Sequence, residues 1–346
     1  MTWSVNRVQN RMQKKVTRCS AIIFGRLIGV LLVLMLASCV GHLGQSSMVE
    51  NTAVPAVSHI LVVNTNNDIE RYRVAATEFV KTVSAGSEIG VKVDTINLGG
   101  DNHPVDTLQD LFNANQYSGV YCIGAKALGS VDYINPDMPV VFSSVLNWRR
   151  FIDQARYYGV ASEVAPAAQL TWFKYFFPEI KTIGVLYSQD NKKLVQDAAV
   201  SAANLSLMLV TEALDSSSKV VSRVQTLLTK VDALWLVSDP LVLATMDSAR
   251  SVFKLADKQG IPVFAYDTLF VDMGAVLSIT TDLPTTGRQA ALMMQNALRG
   301  NSRQDNDTSV QFPAGSSITL NLDKVRQYNL LLNEDALDSV SQIVGE

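Results

Sequence analysis

Cysteine and histidine are nearly missing from this sequence of 346 residues, which has three of each. Cys19 and Cys39 fall in the N-terminal stretch, leaving Cys122 alone in the apolar context Val120-Tyr121-Cys122-Ile123. A lone cysteine excludes an internal disulfide framework or a thiolate metal site downstream of residue 39. The histidines, His42, His59 and His103, are scattered. There is no His-Glu-x-x-His, no Gly-x-Ser-x-Gly and no Gly-Lys-Ser/Thr phosphate loop, so nucleophilic, metal-assisted and nucleotide chemistry all lack their usual residues. Gly124-Ala125-Lys126-Ala127-Leu128-Gly129 lacks the Gly-x-Gly opening of a dinucleotide fingerprint and reads as a strand-to-helix turn. Asp239 and Asp267 are the one acid pair that glycoside hydrolysis would need, and nothing else in the sequence asks for it. The expectation is a protein that is no enzyme and carries no cofactor or metal.

Acidic residues are absent from the first 38 positions, which hold Arg7, Arg11, Lys14, Lys15, Arg18 and Arg26, with the apolar run Leu27 to Ala37 at their end. That is a basic n-region and a short h-region. The run is well below the roughly 20 apolar residues of a membrane span. It closes in Leu36-Ala37-Ser38-Cys39, which resembles the bacterial lipobox, so residues 1–38 are expected to be a signal peptide and Cys39 the acylated residue. Several acyl chains on one cysteine give firm anchoring. Residues 39–56, with Gly41, Gly44, Gln45, Ser46 and Ser47, read as a lipidated tether. The same resemblance, carried to lipoprotein sorting rules, implies outer-membrane delivery in a diderm host, since position 40 is Val and not Asp. Without residues 1–38 the 29 Lys and Arg fall to 23 against 32 acids, a net charge near −9. A basic stripe is the footprint of nucleic-acid binding, and this chain lacks the charge for one.

About 290 residues remain for folding, more than one hydrophobic core usually serves. Apolar, β-branched runs bounded by turn residues predict strands at 60–64, 91–96, 119–123, 139–145, 182–187, 207–211, 233–237, 262–265 and 275–279. Amphipathic stretches between them predict helices over 69–83, 164–177, 192–204, 219–229, 241–259 and 286–298. Alternation of this kind gives mostly parallel sheets covered on both faces. Two such series occur, over about 57–148 and 149–278, each opening on a similar strand. The expected fold is therefore α/β, with two Rossmann-like lobes. The aromatic stripe Trp172, Phe173, Tyr175, Phe176 and Phe177 is expected to be mostly core, and Cys122 a small buried hydrophobe.

In open parallel sheets ligands bind beyond the carboxyl ends of the strands. The candidates there are Asn64 after the first strand, Ala125 in the turn after the third, Ser143 and Ser144 after the fourth, then Tyr187 and Ser188, Asp239, and Tyr266 and Asp267 in the second series. Hydroxyls, amides and helix starts suit an anionic group; Asp239 and Asp267 suit a cationic amine, and the tyrosines offer flat apolar walls. The set suggests a small polar or zwitterionic organic ligand, an amino acid among them. Asp239-Pro240 is equally the pattern of a helix cap followed by proline at the first helical position.

The segments Pro139 to Val145, Tyr158 to Ser162, Phe177 to Tyr187, Gly260 to Asp267 and Gly287-Arg288-Gln289-Ala290 resemble the substrate-binding lipoproteins of ABC transporters, in the type I periplasmic-binding-protein fold and its tryptophan and aromatic-amino-acid-binding branch. The resemblance implies lobes joined by a multi-strand hinge, the chain crossing near 146–150, 278–284 and 303–316, so that lobe 1 comprises 57–148 plus 279–303 and lobe 2 comprises 149–278 plus 304–346. It implies Ser143 and Ser144 for a ligand carboxylate and Asp267 for an amine. The chain departs from the family at Ala125, often Thr there, and at Asn147-Trp148, in place of the usual Asp-Pro. The implied partners are an ABC permease and a small-molecule ligand, with the protein exported, lipid-anchored on the periplasmic side and monomeric. The alternative role is a ligand-sensing or envelope-scaffold lipoprotein that reports to a membrane sensor.

Overall fold

A computed structural model describes residues 57–85, 90–146, 148–151, 156–300 and 309–345. The expected signal peptide, Cys39 and the tether lie outside them. Residues 55 onward form one unit, built on two sheets.

The first sheet contains β1 (Ser58–Asn64), β2 (Val91–Asn97), β3 (Gly119–Ile123), β4 (Val140–Ser143), β5 (Tyr157–Val160) and β11 (Val310–Gln311), in the order β11-β5-β4-β3-β1-β2. All its pairings are parallel. β3 and β4 are buried at every position, as continuous apolar runs must be when helices cover both faces. Those helices are α1 (Glu70–Ala85), α2 (Pro104–Ala114), α3 (Ala125–Ile134) and, returning from far along the chain, α8 (Leu283–Leu298). α1 and α8 pack so closely that a Cβ on Gly287 would lie 2.4 Å from the Ala75 carbonyl oxygen.

The second sheet runs β13-β12-β10-β9-β8-β6-β7. Its strands are β6 (Thr182–Ser188), β7 (Met208–Leu214), β8 (Ala233–Leu236), β9 (Val263–Ala265), β10 (Leu277–Thr281), β12 (Ser316–Asn321) and β13 (Gln342–Val344). Only the β10–β12 pair is antiparallel. Around it pack α4 (Pro166–Phe176), α5 (Lys192–Asn204), α6 (Val220–Leu228), α7 (Met246–Gln259) and the short α9 (Leu322–Gln327). α5 buries Leu194, Val195, Ala198 and Ala202, one stripe at helical spacing. α7 starts at Thr245, whose hydroxyl accepts from the Ser248 amide at 3.1 Å, and stops at Gly260, which takes φ 69°. The aromatic stripe is mostly core, with Phe173 and Phe177 packed on Phe264, Phe176 buried beside Phe177, and Tyr175 exposed.

The sheet pairings differ from the expected first crossing. Tyr157–Val160, counted with the second series, hydrogen-bonds beside β4 in the first sheet, and β11 extends that sheet by pairing with β5. The chain therefore leaves lobe 1 after Val160, returns into α8 after β10, and crosses again between β11 and β12. A four-residue strand of the sequence Tyr-Tyr-Gly-Val carries no alternation long enough to assign it to a sheet from sequence. Gly159 is required there: a Cβ would sit 2.3 Å from the Phe142 ring.

Candidate functional site

The carboxyl ends of both sheets and the crossing segments line a cleft, open to solvent on one side, with a cavity of about 680 Å³. From lobe 1 it is walled by Ile69, Arg71 and Val74 at the start of α1 and by Ser144 and Leu146 beyond β4. From the crossings come Ala161, Ser162, Thr280, Thr281 and Asp282, and from lobe 2 Tyr266, Asp267 and Thr268. A second, tight cavity of about 20 Å³ is lined by Arg149, Ser162, Glu163, Gln169, Asn191, Trp235, Ser238 and Tyr266, among others. The two share Ser162 and Tyr266.

Of the residues expected at the site, Ser144, Tyr266 and Asp267 line the large cavity. Ser144 turns the chain out of β4 in the left-handed region, φ 56°, which a residue with a side chain adopts only where its surroundings hold it there. Tyr266 is largely buried, and that burial raises its phenol pKa, offset in part by a hydrogen bond with Ser238. Asp267 accepts from the Leu269 amide at 3.0 Å through Oδ1, and its Oδ2 faces the Arg71 guanidinium of lobe 1 at 3.7 Å. That ion pair spans the lobes.

The other expected residues are engaged elsewhere. Asp239 is 1% exposed. Its Oδ2 accepts from the Ser188 amide (2.6 Å), the Ser188 hydroxyl (2.9 Å) and Asn191 Nδ2 (3.0 Å), and its Oδ1 from the amides of Leu241 (3.0 Å) and Val242 (3.2 Å). Five donors fill this carboxylate, which ties the end of β6 to the turn after β8; capping is its role, and Ser188 is its partner. Ser143 is buried with its hydroxyl 2.6 Å from the Tyr121 phenol oxygen. Asn64 is fully buried, its Oδ1 accepting from the Asn66 amide at 3.0 Å while its Nδ2 has no partner. Ala125 begins α3 and packs on the lobe 1 core, and Tyr187 packs on the core of lobe 2. None of these six lines either cavity. Strand ends are also where an α/β sheet needs caps, so the same residue types serve both purposes.

Two arginines escaped the sequence reading. Arg71 lies in the first turn of α1 within a stretch read only for its apolar face. Arg149 sits on the 3₁₀ turn Trp148–Phe151, its guanidinium 4.3 Å from the centroid of the Trp148 ring and its Nη1 donating to Glu163 Oε1 at 2.7 Å. Glu163 also accepts from Trp148 Nε1 at 3.2 Å and from the Ser162 hydroxyl at 3.0 Å. The available signal was the pair Arg149-Arg150 just beyond a strand end. Lys126, by contrast, donates to the Leu98 and Asp101 carbonyls, each at 2.7 Å, and secures a loop. Among the described residues no group of three or more His, Cys, Asp or Glu is placed to hold a metal ion, and no helix is long and apolar enough to cross a membrane.

The family model described as ABC transporter substrate binding protein matches residues 112–344. The chain belongs to this family. It is similar to a tyrosine-binding protein of Clostridioides difficile, 23% identical over 225 residues, an alignment that spans 62% of this chain and 64% of that protein. The fold matches a Streptococcus pneumonia ABC domain in complex with L-Trp (22% identity, TM-score 0.56, 84% of this chain and all of that one). It also matches the ligand-free, open structure of a substrate binding protein with adhesive properties from Clostridium difficile (19% identity, TM-score 0.63, again 84% and 100%). This substrate-binding protein therefore has the two-lobed α/β fold of type I periplasmic binding proteins.

Proposed function

We propose that the chain captures a small polar or zwitterionic organic molecule, with aromatic amino acids among the candidates, in the cavity between its lobes and hands it to an ABC permease. The observation that carries this reading is the cavity itself: about 680 Å³, within the range of small-molecule sites, walled by strand ends of both sheets and by the crossing segments. A molecule there touches both lobes at once, so its binding favours whichever lobe arrangement makes both sets of contacts. Family membership supports transport over catalysis. On this reading residues 1–38 are removed on export and Cys39 carries the lipid that holds the protein at the periplasmic face of a membrane, where one copy suffices to present both lobes.

Thermal unfolding against a library of amino acids, nucleosides, sugars and organic acids tests the capture step. A ligand at 100 times its Kd adds about 2.7 kcal/mol to native stability. A shift confined to one chemical class is the expected result. A folded protein that no compound stabilises would count against capture.

A further inference from the structure

We infer that Arg149 is the anchor for a ligand carboxylate and that the ligand this site accepts is an organic acid with no required ammonium group. The inference rests on the capture reading above and names the chemical class captured.

The guanidinium is held in a fixed plane. It lies over the Trp148 ring at 4.3 Å, and Glu163 grips Nη1 at 2.7 Å. Glu163 is itself secured by Trp148 Nε1 and the Ser162 hydroxyl, and its side chain is only 12% exposed. An arginine pre-ordered on one edge retains the donors of its other edge for a planar anion. Among the described residues, Glu163 is its one hydrogen-bond partner. That turn belongs to lobe 1, where Trp148 and Phe151 pack into the core, yet Arg149 lines the tight cavity together with Asn191, Ser238 and Tyr266 of lobe 2. The space, about 20 Å³, holds roughly one water-sized group, room for one carboxylate oxygen at the guanidinium. Because this cavity shares Ser162 and Tyr266 with the large one, a molecule in the large cavity can place its acid end at Arg149 and leave its body outside.

The acids that could hold an ammonium are filled by protein donors, already beside a protein cation, or exposed. Asp239 carries five and lines neither cavity. Asp267 accepts from the Leu269 amide through Oδ1 and its Oδ2 lies 3.7 Å from the Arg71 guanidinium, so a ligand amine there would share the carboxylate with a cation already beside it. Asp282 caps α8 through the Thr285 amide at 2.8 Å. Glu70, at the rim, is exposed to solvent, where an ion pair contributes little.

The test uses matched triads that differ only in the charged groups: L-tyrosine, 3-(4-hydroxyphenyl)propionate and tyramine; L-leucine, 4-methylpentanoate and 3-methylbutylamine. Affinities are measured by calorimetry on the full chain in detergent. In at least one triad the amine-free acid is expected to bind within about tenfold of the amino acid or more tightly, and the amine not at all. Arg149→Gln should weaken the acid by about 30-fold or more, the scale for removing one partner of a buried charge-assisted pair. Arg149→Lys keeps the charge without the fork and should weaken it by about tenfold, which carries the test if the glutamine variant folds poorly. Arg150→Gln, the same charge loss one residue on, should change it less than twofold. An amino acid that binds while its amine-free acid does not, an amine that binds as well as the acid, or affinity within threefold after Arg149→Gln would each overturn the inference and leave capture standing. Failure of every compound in both triads would bring down the inference and capture of these classes together.

Discussion

Asp239→Ala removes a buried acceptor from five donors, and the consequence can be worked from the geometry. The Ser188, Leu241 and Val242 amides lose their partner, as do the Ser188 hydroxyl and one hydrogen of Asn191, whose Nδ2 keeps the Ser238 carbonyl at 2.9 Å. A buried donor left unmade costs about 1–3 kcal/mol; because water can enter the space vacated by the carboxylate, the net loss is set nearer 3–5 kcal/mol than the simple sum. The damage is local to lobe 2, whose unfolding responds at roughly 2–4 °C per kcal/mol for a unit of this size, so its transition should fall by roughly 10 °C. Asp239→Asn keeps one acceptor oxygen and should lose less than half as much. The assay is thermal unfolding without ligand, followed by the fluorescence of Trp235, which is 1% exposed inside lobe 2. A loss below about 1 kcal/mol for the alanine variant would show that the fold does not use this carboxylate, and would return Asp239 to the ligand.

The same substitution at two glycines should act with opposite signs: Gly129→Ala in α3, where an added Cβ meets nothing within 4 Å, should stabilise by about 0.5–1 kcal/mol through helix propensity, and Gly287→Ala, pressed against the Ala75 carbonyl, should destabilise by about 1–2 kcal/mol after the same gain is offset by overpacking. Both act on lobe 1, so urea unfolding of the pair is a like-for-like comparison. Cys122 is fully buried and that burial raises its thiol pKa; iodoacetamide should leave it unlabelled in the native protein and label it in denaturant, and fast native labelling would contradict the packing. Hydrogen bonds from Lys324, Tyr328 and Gln327 lower the pKa of Asp257, joining α7 to the end of α9. A lowered folded value means stability that is present above the unfolded pKa near 4 and lost as pH falls through the folded one. With a side chain 48% exposed the contribution is screened to less than about 1 kcal/mol; Asp257→Asn should flatten the acid limb below pH 4 by that much and leave stability at pH 7 lower by the same amount.

The elements legible in the sequence were those long enough for a period to repeat. The helix expected over 192–204 spans Lys192–Asn204, and the strand expected over 119–123 spans Gly119–Ile123. α2 and α3 are not among the expected helices: a Gly-Gly-Asp-Asn run before α2 reads as loop, and Gly124 to Gly129 reads only as the turn that leads into a helix. β5, β11 and β13 have four, two and three residues, too few for alternation to register. What assigns them is the partner strand, and pairing is a tertiary fact that no local pattern encodes.

The site was less legible than the fold for a different physical reason. Convergence of polar residues at strand ends singled out Ser144, Tyr266 and Asp267, which line the cavity, and also Asp239, Ser188, Ser143 and Asn64, which do not. At the carboxyl end of a parallel sheet every strand must turn into a helix, and buried amides there require acceptors whether or not a ligand exists. A carboxylate with five donors and one with a single amide and a guanidinium across the cleft look alike in sequence, since each is an aspartate after an apolar run. The arginines separate the two roles. Arg71 reaches Asp267 from the opposite lobe, and Arg149 is fixed by Glu163 at the edge of the tight cavity. A long cationic side chain held in place across an interlobe gap is not needed to cap any helix, so its presence says more about what enters the gap than the acids at the strand ends do.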